Sequence, residues 1–483
     1  MHMNRKIINL EINEISPSLF KNYINNPKNK KSILKKLMDQ NLLKIYSTKA
    51  TDISKEKLYP SQTWASFLSG LPYKKHNCYW YSDFIDYKNL IWSKLISNKK
   101  SVGIVGSLHS SKIPKNLFKN SNYKFFIPDC FSSVNKTKPC LFEDFQALNN
   151  LLVGSSGRVT GLKALFKIIL NNGYKIFLNP RKFGISIFSL KMIFKIIFFA
   201  IKYQNKELLR MAQFPLIASI FYDLSIKFAP EYSSIFSNHI AGNMHRYWYA
   251  HDVKAFKSKD KYNRNWVRKN KNAIDISFGL LDDYIKYIFR NKQFRNNTIL
   301  ITSSMGQEPN PNFDKKVLAK YSGKISNMKN FLFYLNKFQK KVHNLDINLD
   351  IARNMAPQYG FTFEENENID PNFLAFTITD FVNSIGLENK IDLQGKSLVL
   401  TINPNLDENL QKKYNIEEAT TKLSKYGFEF FEVNDHHSGS HSPYGILITI
   451  NSTDSFEKSI ADNIEDDGNI DYLNFQKIIL SNL

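Results

Sequence analysis

Cysteine is scarce in this chain, whose 483 residues include only Cys78, Cys130 and Cys140. Their positions show no metal-binding spacing, and any disulfide scheme would leave one of them unpaired. A reducing compartment is therefore the simpler interpretation. The N-terminus also lacks a signal-peptide core, since a few polar residues run straight into a short strand-like segment and then charged residues. We expect a cytoplasmic protein.

A long uninterrupted apolar run is also missing. Residues 183–201 come nearest to one, but Lys191 and Lys195 lie at their centre. Each lysine would cost about 2.5–3.5 kcal/mol on insertion into a bilayer, which excludes a membrane span. The pattern predicts a buried helix within a helical insertion. The alternative is a basic amphipathic surface in peripheral contact with the inner face of the membrane.

Acidic residues are outnumbered, with 43 Asp and Glu against 66 Lys and Arg and a formal net charge of +23. Such a balance indicates anionic partners, among them phosphates, acidic saccharides, a membrane surface or nucleic acid. Lys, Asn, Ile and Phe are abundant together, however, as an AT-rich genome would produce. No nucleic-acid-binding motif or compact basic domain is present, so nucleic acid is not expected. We expect an anionic small molecule or a saccharide as substrate.

Histidine is concentrated rather than scattered. Six of the ten histidines fall within residues 238–252 and 435–445. The second window is a Gly/Ser-rich loop just before the apolar run 446–450, which reads as a buried strand. Loops at the ends of strands are where open α/β sheets hold their chemistry. The two windows are therefore predicted to form one site.

Short apolar strands alternate with helical segments, which is typical of an α/β fold. Strands are predicted at 6–15, 101–108, 123–128, 298–302 and 397–402, and helices from Pro17, around 60–69 and over 273–289. The sequence pattern changes from alternating strands and helices to long helical apolar stretches near residue 141, and to a mixed α+β pattern near residue 310. We predict core segments 1–140, 236–309 and 431–483, separated by a helical insertion at 141–235 and an α+β insertion at 310–430.

The order of these pieces resembles the alkaline phosphatase superfamily, specifically its phosphodiesterase/nucleotide pyrophosphatase and sulfatase-like branch. Residues 60–63, Pro-Ser-Gln-Thr, followed by Trp64, are similar to the family's nucleophile segment, with Thr63 in the nucleophile position. His245 matches the histidine of an Asp-x-x-x-His motif, and His441 matches a late histidine before the final strand. The resemblance implies a three-layer α/β sandwich with a mostly parallel central sheet, and phosphoester chemistry assisted by metal ions.

The sequence departs from the family pattern at several ligand positions. Asn13-Glu14 stands where the family has Asp-Gly, Ala241 replaces the aspartate of Asp-x-x-x-His, and Ser304-Met305 replace an Asp-His pair. The resemblance therefore implies one divalent metal, Zn or Mn, in place of two. The same set of motifs is similar to a divergent subgroup of the superfamily associated with surface polysaccharide genes.

The candidate site residues fall into three roles. Those for metal binding are Glu14, His239, His245, Asp435, His437 and His441, with His436 as a further loop histidine. Imidazole and carboxylate ligands of this kind suit Zn or a similar ion. Those for catalysis are Thr63, Ser304 and Arg246, and those for substrate binding are Asn13, Asp129 and Gln307.

Each candidate has a structural alternative. Thr63 is also a suitable helix N-cap, and His245 a suitable hydrogen-bonded core histidine. Strand alternation favours Glu14 over Glu11 as the metal ligand, because Glu14 begins the loop, although a structural salt bridge would explain it too. Asp129 could equally form a turn, and Arg246 could pack against Tyr and Trp rings. The loop histidines could be solvated.

These features predict a hydrolase or transferase that acts on a phosphoester, such as a phosphodiester, a nucleotide sugar or a polysaccharide intermediate. Thr63 would attack the ester and the helical insertion would select the substrate. The rival prediction is a catalytically silent protein that keeps the fold and binds an anionic glycan or a partner enzyme. A metal-independent transferase is a third alternative.

Overall fold

The computed structural model describes the chain apart from residues 1–4, 56–57, 82, 84, 111–118, 132–135, 155–172, 316–320, 346–348, 353–357, 363–369, 395–396, 403–415 and 433–436. Two of the loop candidates, Asp435 and His436, lie outside the described residues. The strands, in chain order, are β1 Ile7–Ile12, β2 Leu43–Lys49, β3 Val102–Val105, β4 Tyr123–Ile127, β5 Tyr232–Ser237, β6 Thr298–Ser303, β7 Gly306–Pro309, β8 Tyr321–Ile325, β9 Asp350–Ala352, β10 Gln358–Thr362, β11 Asn389–Gln394, β12 Ser397–Ile402, β13 Phe428–Glu432, β14 Gly439–Ser442, β15 Tyr444–Ile450 and β16 Ile470–Asp471.

Helices connect most of these strands. In chain order they are α1 Pro17–Asn25, α2 Ile33–Asp39, α3 Pro60–Ser69, α4 Tyr73–His76, α5 Ile91–Ser97, α6 Glu143–Gly154, α7 173–178, α8 Ile187–Lys202, α9 Gln213–Phe228, α10 His239–His251, α11 Arg264–Asn270, α12 Ala273–Ile288, α13 Lys292–Arg295, α14 Met328–His343, α15 Pro371–Ser384, α16 Ile416–Ser424, α17 Asp454–Ala461 and α18 Phe475–Leu480.

An eight-stranded sheet forms the centre of the molecule, with strand order β16-β2-β15-β6-β1-β5-β3-β4. Every pairing within it is parallel except the two made by β15, which runs antiparallel to both β2 and β6. β1 lies between β5 and β6, so the loop that follows it emerges near the middle of the sheet's carboxyl edge. The predicted α/β class with a mostly parallel central sheet is confirmed.

Both faces of this sheet are buried, which explains why its strands read as continuous apolar runs. In β15, Ile446, Ile448 and Ile450 point into one apolar core, whereas Leu447 points into a second. In β6, Ile301 and Leu300 divide between the same two cores. Helices α1, α2, α9 and α12 supply the first core and α3, α5 and α18 the second. The result is the expected three-layer sandwich.

Local sequence signals set the helix boundaries as predicted. Ser16 precedes α1, and Pro17 occupies its first position, where the missing N–H is no loss. Helix α3 begins at Pro60 and ends at Gly70, whose φ of 64° lies in the left-handed region that glycine adopts without strain.

The helical segment after residue 173 does not form a separate core. Phe183, Met192, Ile196 and residues of α9 pack into the first core of the sheet. The prediction that residues 183–201 form a buried helix is wrong, because α8 buries one face and exposes a second apolar face to solvent. Within the part of the chain that the structure describes, no helix is both long and apolar enough to cross a membrane.

Residues in the 310–430 region build a smaller unit. A four-stranded antiparallel sheet has the order β11-β12-β10-β9, and β8 pairs with β13 in a separate ladder. Helices α14 and α15 cover a third apolar core that includes Phe331, Leu374 and Leu400. Val399 of this unit packs against Tyr79 and Trp80 of the main body.

Candidate metal centre

The loop after β1 supplies the residue around which the site is built. Glu14 adopts a φ of 57°, a left-handed backbone conformation that is uncommon for any residue other than glycine. Its side chain is 3 % exposed. A buried carboxylate on a strained backbone at the carboxyl edge of a parallel sheet is typical of a functional position rather than a packing position.

Two amides orient the Glu14 carboxylate. The Asn13 side-chain amide donates to Oε1 at 2.7 Å, and the Gln307 side-chain amide donates to Oε2 at 2.5 Å. Asn13 is itself held by the Trp64 indole N–H, which donates to its carbonyl oxygen at 2.8 Å. The carboxylate is therefore oriented by two amide donors, one on each oxygen.

His245 reaches Oε2 from α10, the helix that follows β5. Its Nε2 lies 2.8 Å from Glu14 Oε2, and its Nδ1 lies 3.2 Å from the carbonyl oxygen of Gly439. A carbonyl oxygen can only accept, so the Nδ1 proton donates to Gly439. That hydrogen bond leaves Nε2 as the nitrogen that faces the carboxylate.

His441 approaches from β14, which pairs antiparallel with β7 so that His441 lies opposite Gln307. Its Nδ1 donates to the carbonyl oxygen of Leu58 at 2.7 Å, and its Nε2 lies 3.6 Å from Glu14 Oε2. The segment predicted to be a loop is thus partly a strand. The pairing of β14 with β7 fixes the position of His441 relative to the Glu14 carboxylate.

The electrostatics of this arrangement call for a positive charge at its centre. With both Nδ1 protons committed to carbonyls, a neutral His245 and a neutral His441 would each direct an Nε2 lone pair toward Glu14. Burial would raise the pKa of Glu14, but the charges of His245 and His441 and the hydrogen bonds from His245 and Gln307 outweigh it and lower that pKa to about 2. Burial lowers the pKa of His441, against the opposing pull of Glu14. A proton or a metal cation must stand between these atoms.

Glu14, His245 and His441 meet the geometric requirement for a metal site. One ligand atom from each lies within 4.8 Å of the other two. Orientation of each histidine by a hydrogen bond from its other ring nitrogen is what metal-ligating imidazoles almost always show. The side chains of His245 and His441 are 22 % and 23 % exposed, whereas that of Glu14 is 3 % exposed. The donor set therefore fits one cation, with an open side toward solvent.

Thr63 does not join this group. It is the fourth residue of α3 and 0 % exposed, and its hydroxyl hydrogen-bonds to the hydroxyl of Ser304 at 2.8 Å. Its other hydrogen bonds go to the carbonyl oxygens of Tyr59 and Pro60. Thr63 is not an N-cap either, since Tyr59 holds that position. In this conformation Thr63 and the equally buried Ser304 form a packing contact between α3 and the end of β6.

Two other metal candidates, His239 and His437, do not belong to this ligand group. His239 stacks on Phe214 at 3.9 Å between ring centroids and pairs through Nδ1 with the Ser237 hydroxyl. Burial lowers the pKa of His239 to about 3, so this histidine is neutral where it packs against α9. His437 is exposed, and its ring lies 5.4 Å from that of His245. It borders the site without belonging to the ligand group among the described residues.

The three substrate-binding candidates and the catalytic candidate Arg246 have different surroundings. Asn13 and Gln307 hold Glu14, as described above, and so act on the carboxylate. Asp129 accepts the backbone N–H of Phe131 at 2.9 Å, which is the turn-forming arrangement. Arg246 donates to the carbonyl oxygen of Gly242 within its own helix at 2.9 Å.

Several groups at the site were not predicted from the sequence. The Leu58 carbonyl orients His441, and the Tyr59 ring lies 6.1 Å from the His441 ring. Burial, followed by the negative charge of Glu14, holds the pKa of Tyr81 well above its usual range, so its hydroxyl stays protonated. A backbone carbonyl leaves no sequence signal. Tyr59 and Tyr81 do lie in an aromatic-rich stretch around the predicted nucleophile segment.

No family model matches the chain, and no curated protein matches it either. Among solved structures it is similar to murine ectonucleotide pyrophosphatase/phosphodiesterase 5, at 10% identity and a TM-score of 0.34, over 92% of this chain and 88% of that one. An inactive form of the same murine protein in complex with AMP matches at 10% identity and a TM-score of 0.37, over 99% and 94% of the two chains. Thermus thermophilus alkaline phosphatase matches at 10% identity and a TM-score of 0.37, over 99% and 91%. The description of the fold rests on the sheet order given above.

Proposed function

We propose that the protein is a phosphoester hydrolase or transferase that works with a single divalent cation, Zn or Mn, held by Glu14, His245 and His441. The observation that carries this proposal is the meeting of one carboxylate oxygen and two Nε2 atoms whose partner Nδ1 atoms are already engaged. Two histidines and one carboxylate with an open side form a common catalytic donor set.

The bound cation would supply Lewis-acid polarisation of a phosphoryl oxygen. The chain's own residues fix the rest of the arrangement. Asn13 and Gln307 prevent the carboxylate from rotating, and the Leu58 and Gly439 carbonyls hold both imidazoles in one tautomer.

The substrate class follows from charge and from the sequence resemblance. A chain with a formal net charge of +23 attracts anionic molecules by long-range electrostatics. We propose a phosphodiester or nucleotide sugar in surface polysaccharide metabolism, as the resemblance implies. Since Thr63 is buried against Ser304, the proposed reaction uses water or an acceptor hydroxyl of a second substrate as the nucleophile.

One observation favours a second function. At the Glu14 carboxylate, the described hydrogen-bond partners are amides and imidazoles, and no serine or threonine hydroxyl is among them. A protein that binds an anionic glycan or a partner enzyme without turnover would have no need of such a group. This is the rival function that the experiment must separate from hydrolysis.

The test is the metal content of purified protein by elemental mass spectrometry, for wild type and for His441→Ala. We expect about one Zn or Mn per chain in wild type, and loss of that metal in the variant. The matched control is His251→Ala, which removes a histidine at the far end of the same helix as His245. Its metal content should equal that of wild type.

Turnover is then measured on bis(p-nitrophenyl) phosphate and on nucleotide sugars with the metal-loaded protein. Metal bound and turnover lost in His441→Ala would support the enzyme. Metal bound without turnover of any of these substrates would favour the silent binding protein. Wild type that takes up neither Zn nor Mn on incubation would overturn the proposed metal site.

A further inference from the structure

Helix α8 carries its apolar residues on both sides. Ser189, Met192, Ile196 and Ala200 face the protein core, as an amphipathic helix requires. On the opposite side the large apolar side chains remain exposed. They are Ile187 at 75%, Leu190 at 41%, Phe194 at 66%, Ile197 at 37%, Phe198 at 58% and Ile201 at 73% of full exposure.

These side chains form one continuous stripe. At about 100° per residue they cover an arc of roughly 100° along the whole helix. Tyr174, Phe177 and Leu178 of α7 add three further exposed apolar side chains just upstream, at 65%, 86% and 68%. Contiguous exposed apolar surface of this kind marks an interaction site, whereas singly scattered apolar residues do not.

Positive charge follows one edge of the stripe. On the helical wheel Lys191, Lys195 and Lys202 occupy adjacent positions beside Phe198. Lys195 is paired with Asp283 at 2.5 Å, and Lys202 lies over the rings of Phe198 and Tyr203. Residues 173–206 contain seven basic residues and no acidic residue. The surface therefore combines exposed aromatic and aliphatic groups with an excess of positive charge.

We propose that this surface, α7 and α8 with their lysines, binds peripherally to a bilayer of anionic lipids. A helix with an apolar face and a lysine edge lies in the plane of a membrane, with its apolar side chains below the headgroups and its lysines at the phosphates. Pairing with a second copy of the same surface would bring the lysine edge of one copy against the lysine edge of the other, and this like-charge contact disfavours self-association. Binding by this surface is independent of the metal centre and of the proposed reaction.

The test is flotation of the full-length protein with two kinds of vesicle. One is phosphatidylcholine alone, and the other is phosphatidylcholine mixed with phosphatidylglycerol in about equal amounts. We expect binding to the anionic vesicles that weakens as salt is raised. We expect little binding to phosphatidylcholine alone.

Two double variants separate the contributions. Phe194→Ser with Phe198→Ser removes apolar surface, and Lys191→Glu with Lys202→Glu reverses the charged edge. Each should weaken binding to anionic vesicles by roughly tenfold or more. The matched control is Phe333→Ser with Lys337→Glu on α14, where Phe333 is 62% exposed, and it should bind as wild type does. Circular dichroism and thermal unfolding verify that all variants fold.

The possible outcomes distinguish membrane binding from self-association. Failure of wild type to float with anionic vesicles, or flotation of both double variants to the same extent as wild type, would overturn the proposal. Equal binding to both vesicle types would overturn the requirement for anionic lipid. A concentration-dependent dimer that the phenylalanine variant abolishes, without vesicle binding, would assign the stripe to a second copy instead. Metal content and turnover should stay at wild-type levels in every variant.

Discussion

Nε2 of His245 lies 2.8 Å from Oε2 of Glu14, although the Nδ1 proton of that histidine is already donated to Gly439. Two lone-pair atoms do not approach so closely unless a positive charge lies between them or on one of them. The distance therefore ties the function of the site to a cation or a proton.

Removal of the Gln307 amide should loosen the site without removing a ligand. In Gln307→Ala, Glu14 Oε2 loses its 2.5 Å donor, and we expect affinity for Zn to fall roughly 10- to 100-fold. Isothermal titration calorimetry measures this directly. Gln40→Ala, at an exposed helix end, serves as control, and an unchanged Kd in Gln307→Ala would contradict the assigned role.

Thr63→Val should affect stability and leave chemistry alone. The change keeps the side-chain shape but leaves the buried Ser304 hydroxyl without its 2.8 Å partner, at a cost of roughly 1–3 kcal/mol in the free energy of unfolding. Turnover should stay within about twofold of wild type. If turnover is abolished while metal content is unchanged, Thr63 is the nucleophile after all and α3 must move during the reaction. The double variant with Ser304→Ala should recover part of the lost stability, as denaturant unfolding will show.

A methyl group at Gly439 should displace both histidines. A Cβ there would lie 2.6 Å from the carbonyl oxygen of Met244 and 2.7 Å from Oε1 of Gln307. Because Met244 precedes His245 and β14 carries His441, Gly439→Ala must push the two ligands apart. We expect loss of bound metal together with a lower melting temperature. Gly173→Ala, where a Cβ meets nothing within 4 Å, is the control that should retain its metal.

The buried carboxyl group of Glu11 should make the free energy of unfolding depend on pH, independently of any bound metal. Burial raises its pKa to about 8, more than the hydrogen bonds of Ser107 and Ser234 lower it. In the unfolded chain the group titrates near about 4.3. Since the folded pKa is the higher one, its contribution to stability is fully present below the unfolded pKa and is lost as the pH rises through about 8.

The melting temperature of wild type should therefore fall between about pH 5 and about pH 8. Glu11→Gln keeps a neutral side chain at this position and should show a smaller fall. Glu465→Gln, at an exposed position, should behave as wild type does. Parallel curves for wild type and Glu11→Gln would show that Glu11 is not the group responsible.

Much of the fold could be predicted because local signals determine it. The apolar strands, the Pro17 and Pro60 helix starts and the Gly70 helix end all appear where the sequence placed them. Clustering of histidines brought out His245 and His441, and strand alternation favoured Glu14 over Glu11. These inferences need only the spacing of residues along one element.

The remaining features depend on contacts between distant elements. The hydrogen bond from His441 to Leu58 and the pairing of β14 with β7 have no local signature. His239 and Thr63 carry suitable functional groups, yet His239 stacks on Phe214 and the Thr63 hydroxyl is hydrogen-bonded to that of Ser304. Hydropathy identified α8 as apolar, but it could not tell which of its apolar sides would remain exposed.

The antiparallel strand β15 enters the sheet between β2 and β6, and the segment just before it carries His441. Glu14 and His441 therefore come together from near the two ends of the chain. Contacts of such long sequence separation form late and slowly. During synthesis the ligand group stays incomplete until β14, which carries His441, has emerged from the ribosome. A cation held by all three residues would therefore bind only after strands β1 to β6 of the central sheet have been made.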